Sequence, residues 1–402
     1  MTDPERNGEI LQRVRRWRDR QVSWRRHFHR CPELSFQEYK TTAFLAETAK
    51  KLGLKLRSTK LKTGLLAELI GAQEGAMVAV RSDIDALPIE EQTGLAFRSK
   101  VHGCMHACGH DMHMAIVLGV AAVLAEMKGK LRGKVRFIFQ PAEEAPPGGA
   151  RPMIENGALE SVSMIFGVHV DPELAIGKIG LRDGISMASV TDFDLVIHGQ
   201  GGHAAKPHLA VDAIVTAAEV VDSLQKVVSR EIDPISPVAL SFGTIEGGTA
   251  RNSIADRVVL RGTARAFSTQ TAKALLKLIR RTANAVCRAR GARLEMSIVA
   301  DYPVMINSPV ANRILARNFE ALFGKEKIAE TPRVLGAEDF ACYLEKVPGA
   351  MFRLGVMNKK IKADKPWHSP LFTADERAMT YGTAVLVAAV LDYLSNSYKR
   401  QL

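Results

Sequence analysis

Eleven residues from Gly103 to His113, reading G-C-M-H-A-C-G-H-D-M-H, hold two cysteines, three histidines and one aspartate. Thiol, imidazole and carboxylate are the side chains that bind divalent metals, and core packing does not require them at that density. Cys108 and His110 stand two apart, so in extended backbone they point to one side. The apolar run that follows, Met114 to Met127, is long enough for a buried helix and too short to span a bilayer. Asp111 is its expected N-cap. That puts Cys108 and His110 on the turn into a helix N-terminus, where unpaired N–H groups and the positive dipole end favour a thiolate. Against this stands the plainer reading that isolated histidines are satisfied surface or core residues and that a small cysteine is merely buried. Three or four protein groups close a catalytic zinc shell, so a functional site here needs ligands from elsewhere in the chain.

The elements that could bring them are strands ending in polar residues. Residues 77–81, M-V-A-V-R, form a buried strand that releases S-D-I-D-A-L-P and leaves Asp83 and Asp85 at its carboxyl edge. Residues 135–140, V-R-F-I-F-Q, run into P-A-E-E with Glu143 and Glu144. Residues 164–168 deliver His169, and residues 351–356 precede a loop bearing Trp367 and His368. In open α/β sheets ligands bind outside the carboxyl ends of the strands, so this repeated convergence carries more weight than any one residue. Two adjacent carboxylates at a strand end suit a division of labour in which one binds metal and the other moves protons. The remaining helices of this part are expected at 8–30, at 36–52 with Gly53 as the stop, and at 373–398.

From about Arg182 the order of elements changes. Strand 192–198, the loop G-Q-G-G-H-A-A-K-P-H, helix 210–229, strands 237–245 and 256–267, helix 269–290 and strand 293–299 read β-α-β-β-α-β, the ferredoxin-like order. The expected organisation is therefore a discontinuous first domain, residues 1–182 and 298–402, with a second domain, 183–297, inserted into it.

Composition excludes other classes. The 402 residues are 47% hydrophobic, ample for two or three cored domains. Five cysteines, at 31, 104, 108, 287 and 342, make no disulfide framework, and no apolar run of 18 residues occurs. The opening residues lack a signal-peptide layout, and the expectation is a cytoplasmic protein without a membrane partner. A formal charge of +12 raises nucleic acid as a partner. Yet Arg13, Arg15, Arg16, Arg18, Arg20, Arg25 and Arg26 go round the first helix instead of forming one stripe, with Trp17, Val22 and Trp24 among them. A solvated helix with an aromatic inner side accounts for them better, and no nucleic acid is expected.

Nine stretches in order resemble the dinuclear-metal aminoacylase and carboxypeptidase family, in its branch of hippurate hydrolases, auxin-conjugate amidohydrolases and N-acyl-amino-acid deacetylases. They are H-R-C-P-E-L-S-F-Q-E (29–38), S-D-I-D-A-L-P (82–88), M-H-A-C-G-H-D-M-H (105–113), F-Q-P-A-E-E (139–144), G-V-H (167–169), G-G-H-A-A-K-P-H (201–208), G-G-T-A-R-N (247–252), E-D-F-A (338–341) and W-H-S-P-L-F (367–372). The resemblance implies an α/β zinc-peptidase-like catalytic domain, a mixed sheet flanked by helices, carrying an inserted ferredoxin-like lid and dimerisation domain. It implies two divalent ions per subunit, bridged by Cys108 and completed by His110, Glu144, His169 and His368. Glu143 would be the general base and Asp85 would orient a ligand. Wider relatives carry His-x-Asp where this chain has Asp83-x-Asp85, which leaves His110 to supply the imidazole. A water held between the ions would attack the amide of an N-acyl amino acid or short peptide. Thiolate and imidazoles favour zinc, while the carboxylates also admit manganese, cobalt or nickel. The resemblance further implies a homodimer or dimer-based tetramer, with His203 stabilising the oxyanion, in cis or in trans, and Asn252 assisting at the substrate. The alternative is a catalytically silent homologue that binds or senses such ligands, but that protein would have lost the base or a ligand, and this chain retains them.

Overall fold

The computed structural model describes residues 3–395, which fall into two compact units. The first contains the described residues up to Gly184, Ile306–Pro332, and those from Cys342 onward. The second contains Ile185–Met305 and Arg333–Ala341. The return to the first unit thus comes later than residue 298, because the strand Arg293–Tyr302 is continuous through that position. No helix among the described residues is long and apolar enough to cross a membrane.

The first unit is built on an eight-stranded mixed sheet. Its strands are β1 (Lys55–Arg57), β2 (Leu65–Ile70), β3 (Gln73–Asp83), β4 (Arg132–Gln140), β5 (Val162–Ala175), β6 (Ile179–Leu181), Ile328–Glu330 and Gly349–Met357. Across the sheet the order is β1-β2-β4-β3-β5, then Gly349–Met357, β6 and Ile328–Glu330. The four central strands β4, β3, β5 and Gly349–Met357 are mutually parallel. They are buried on both faces, which explains why they read as apolar runs instead of alternating ones. Register sets Asp83 level with Gln140 and Arg81 level with Gly167, so the polar ends of β3 and β4 lie beside the His169 stretch of β5. His169 does not end its strand: β5 runs on to Ala175, paired to Gly349–Met357.

Helix α3 (His110–Glu126) is buried almost throughout and packs against α1 (Asp3–Arg30) and the C-terminal helix Ala378–Leu394. Its N-cap is Gly109, at φ 91°, and not Asp111, which lies in the first turn. Helix α2 (Tyr39–Lys51) starts three residues later than the apolar pattern indicates. The Glu33 carboxylate accepts the Lys40 and Thr41 N–H groups, and Phe36 sits at φ 65°, which no helix continues. The C-terminal helix likewise begins after Asp375, whose carboxylate accepts the Arg377 N–H; the expected stretch 396–398 lies outside the described residues. The arginines of α1 are not all solvated. Arg25 is 1% exposed and ion-paired to Asp111 at 2.7 Å.

The second unit is a four-stranded antiparallel sheet in the order Val238–Gly247, Arg257–Ala266, Ser189–His198, Arg293–Tyr302. Helices Ala213–Arg230 and Thr269–Ala289 pack on it through a core that includes Leu195, Ile197, Val220, Leu224, Leu275 and Ile279. Asp212 caps the first helix by accepting from Ile214 and Val215, and Ser268 caps the second by accepting from Thr271.

Where α1, α3 and the C-terminal helix meet, Gln21 is fully buried and donates to Thr383 Oγ1 at 2.6 Å. It lies over Gly119, where an added Cβ would come within 1.6 Å of the Gln21 Nε2. Gly119→Ala gains about 1 kcal/mol of helix propensity. It must also evict a buried amide from its hydrogen bonds, an overpacking loss of about 1–3 kcal/mol that outweighs the gain. Denaturant unfolding should show Gly119→Ala less stable than the parent; an unchanged or raised midpoint would mean that Gln21 swings aside freely.

Candidate metal centre

The Gly109 turn presents Cys108 just before α3 and His110 as its first residue, because its φ of 91° suits glycine and a Cβ there would lie 2.4 Å from Val170. His110 Nδ1 faces the Asp85 carbonyl at 2.9 Å and Asp85 Oδ1 at 3.2 Å, which fixes the ring and aims Nε2 the other way. His169 Nδ1 likewise faces the Val170 carbonyl at 2.8 Å, leaving Nε2 3.5 Å from Cys108 Sγ. After β4, Ala142 takes φ 50°, with its N–H held by Glu38 Oε1 at 2.8 Å. This uncommon conformation for a non-glycine residue turns the chain so that Glu143 and Glu144 leave the sheet together. Glu144 N–H then donates to Asp85 Oδ2 at 2.9 Å. His368, at φ 62°, is anchored by its N–H to the Ala107 carbonyl at 2.9 Å, and its Nε2 stands 3.3 Å from Glu144 Oε1.

The ligand-type atoms converge. Cys108, His110 and His169 offer atoms within 4.8 Å of one another, as do Cys108, Glu144 and His368, and His110, Glu143 and Glu144. All five expected ligands and the expected base therefore meet in the first unit, with Asp85 directly behind His110. Two buried atoms in this cluster, His110 Nε2 and Glu144 Oε1, make no well-formed hydrogen bond: they lie 3.7 Å apart, and Glu144 Oε1 has only the 3.3 Å ion-pair contact with His368. Buried polar atoms are normally satisfied, so an imidazole nitrogen and a carboxylate oxygen left unmet beside a thiol suit a divalent cation.

The electrostatics agree with that fit. Burial alone would lower the His110 pKa, but Asp83, Asp85 and Glu144 outweigh it and push it up to about 10. Burial, reinforced by Glu144 and Glu143, drives the Cys108 thiol well above its usual range. Desolvation and the two carboxylates work against the thiolate that the helix N-terminus favours. Burial also holds His169 well below its usual value, helped by His113 and Arg353. Glu144 raises His368, which is half exposed.

A sequence profile of Peptidase family M20/M25/M40 matches residues 79–392. An N-acetyl-L-cysteine deacetylase of Bacillus subtilis is 40% identical, over 95% of this chain and 88% of its own. Thermostable carboxypeptidase 1 of Saccharolobus solfataricus is 39% identical, over 92% of this chain and 94% of its own. A solved Bacillus subtilis structure, described as a dinuclear metal binding peptidase from the M20 family, superposes with a TM-score of 0.80. It is 35% identical and covers 95% of this chain and 99% of its own. The chain belongs to the M20/M25/M40 peptidase family. It is a metal-dependent amidohydrolase.

Other residues near this M20 centre were not assigned from sequence. Asp83 is fully buried, with Oδ1 2.7 Å from His113 Nδ1 and Oδ2 2.8 Å from Arg81 Nη1. Burial would raise its pKa, but His110, His113 and Arg81 hold it well below the usual range. His113 also forms a ligand-type group with Asp83 and His110. Its Nε2, however, accepts the Val170 N–H at 2.9 Å, so both ring nitrogens are committed and it acts as a brace between α3, β3 and β5. The signal was present: His110 and His113 are three apart on one helix face. His106 lies fully buried with neither nitrogen hydrogen-bonded, and burial pushes its pKa down to about 4.

His203 and Asn252 lie in the second unit and are exposed. They adjoin each other: His203 pairs with Ser253, the Asn252 carbonyl accepts the Ala204 N–H at 3.1 Å, and His203 Nδ1 accepts the Ala205 N–H at 3.1 Å. Gly199 before them serves close approach within the unit, since a Cβ there would lie 2.2 Å from the Val211 carbonyl.

Because metal ligands must be deprotonated, Cys108 and His110 have to shed the protons they hold near neutrality. Loading metal-depleted protein at pH 7 should release about two protons per centre. The affinity should therefore rise with pH across 6–8. Calorimetric titration in buffers of different ionisation enthalpy reads this; metal uptake without proton release would rule out this pair as ligands.

Proposed function

We propose that this centre hydrolyses the amide bond of N-acyl amino acids or short peptides that carry a free carboxylate. The observation behind this reading is the convergence of Cys108, His110, Glu144, His169 and His368 around unmet buried atoms, with the Glu143 carboxylate alongside. The deacetylase and the carboxypeptidase among the relatives are named for cleaving such amides.

In this reading Cys108, His110, Glu144, His169 and His368 would hold two divalent ions, with Cys108 shared between them. The thiolate and three imidazoles favour zinc, while the carboxylate also admits manganese, cobalt or nickel. When bound, such ions supply Lewis acidity at the amide carbonyl and acidify a water near neutrality. Asp85 keeps the His110 proton on Nδ1 and so reserves Nε2 for the metal. Glu143, 9% exposed, takes the proton from the attacking water and returns it to the departing amine. The neighbouring Glu144 cannot share that task while it serves as a ligand. His203, with Asn252 beside it, donates to the tetrahedral oxyanion of a partner subunit in a homodimer or dimer-based tetramer. Cytoplasm is the compartment proposed, in keeping with five cysteines that are all unpaired.

Glu143→Gln should keep its full metal content and fold while turnover of N-acyl amino acids falls at least about a hundredfold, the usual scale for losing a general base. Metal loss instead would make Glu143 a ligand. For His203, a mixture of Glu143→Ala and His203→Ala proteins, each inactive alone, should recover about one site in four on subunit exchange. No recovery, with exchange confirmed, would place His203 in cis or outside catalysis.

A further inference from the structure

The segment carrying Cys108 and His110 is tied down by charges that the hydrolytic reading does not use. Asp111, fully buried beside His110, has one carboxylate oxygen facing two partners on α1: Arg25 Nε at 2.7 Å and His29 Nδ1 at 2.8 Å. His29 is also buried, and its Nε2 faces Glu91 Oε1 at 3.2 Å. Glu91 in turn accepts the Ser99 N–H at 2.6 Å and the Thr93 hydroxyl, closing the loop between residues 91 and 99. Its neighbour Glu90 accepts the Gly103 N–H, at the opposite flank of the same segment. Between these anchors Met105 and Leu87 exchange both backbone hydrogen bonds at 3.0 Å. Lys100 N–H reaches the Arg30 carbonyl at 2.9 Å, so the loop is also fastened to the end of α1.

The chemistry of this chain is costly if its only purpose were stability. Breaking one member of a buried ion network strands the others, and apolar replacements of similar volume often serve stability equally well. What a buried Arg–Asp–His–Glu chain adds is direction: each partner accepts only narrow geometry, so the first turn of α3 is held in one place relative to α1 and the 91–99 loop. The residue one position before Asp111 is His110, and Cys108 lies two further back. A shift of that turn moves two proposed ligands together.

We propose that His29, bridging Asp111 and Glu91, is a positioning residue for the metal centre, holding the turn that carries Cys108 and His110 in the geometry that binds the ion. This rests on Cys108 and His110 being ligands. Apolar packing around α3 keeps the helix folded without the bridge, whereas the ångström-level placement of the two ligands depends on it.

The test is titration of zinc into the metal-depleted full-length protein, read by calorimetry, alongside thermal unfolding of the same metal-free samples. His29→Gln reaches one carboxylate at most and should weaken zinc binding about tenfold or more, the usual scale for a group behind a ligand. Glu91→Ala should weaken it similarly, and Glu91→Gln, which keeps an acceptor for His29, should recover most of the loss. Metal-free variants that unfold earlier yet bind zinc with parental affinity would overturn the proposal and leave the network a structural role alone. Should His29→Gln not fold, the Glu91 pair decides by the same readout. A His110→Ala protein that binds zinc like the parent would instead overturn the ligand assignment, independently of His29.

Discussion

The Asp85 carboxylate is the joint on which the metal centre depends. It is fully buried, and such a group is tolerated only when donors satisfy it. Its donors come from three separate pieces of chain: the Ser35 hydroxyl before α2, the Glu144 N–H after β4 and the His110 imidazole at the head of α3. Burial alone would raise its pKa, but His110, the Glu144 N–H and Ser35 bring it below the usual value. One anion thus sets the spacing between two proposed ligands, His110 and Glu144, that lie 34 residues apart in sequence. His113 performs the same kind of joining between Asp83 and Val170, and ties His169 to the frame through its neighbour.

Around these joints the packing is apolar, and carboxylates crowd the groups that meet them: Arg81 pairs with Asp83, His110 with Asp85 and His368 with Glu144. Asp83, Asp85, Glu143 and Glu144 are gathered within a region walled by fully buried strands and by α3, where interactions between charges are strong. His110 responds by retaining a proton, and the Cys108 thiol by keeping its own. Both responses follow from one excess of negative charge in a desolvated place. A pair of divalent cations answers the same excess, which is why the ligand set and the pKa directions point to one conclusion. The proposed general base, Glu143, is placed by the left-handed residue Ala142 before it.

Much of this was legible in the sequence, and the reasons are physical. Strand exits ending in Asp83-x-Asp85 and Glu143-Glu144 are visible because fully buried parallel strands leave apolar runs that stop abruptly where polar side chains meet the site. The ferredoxin-like unit was visible because its helices are amphipathic and its elements alternate in a fixed order. Less visible were the ends of elements. Asp111 reads as a cap by residue type, yet its carboxylate is drawn to Arg25 and His29, and Gly109 takes the cap through its backbone. Arg25 reads as one more solvated arginine because nothing local marks the burial that a residue 86 positions away imposes.

The order of elements, the strand exits and the chemical types of the ligands were therefore decided by the chain itself, since each depends on periodicity or on residue identity within a short window. Which imidazole nitrogen faces the centre was not. His110, His113 and His169 are alike as letters, and only the partner on the other nitrogen separates them: Asp85 behind His110, the Val170 carbonyl behind His169, and both Asp83 and the Val170 N–H around His113. Hydrogen bonds between distant segments make that choice, and they exist only once β3, β5 and α3 have been packed together.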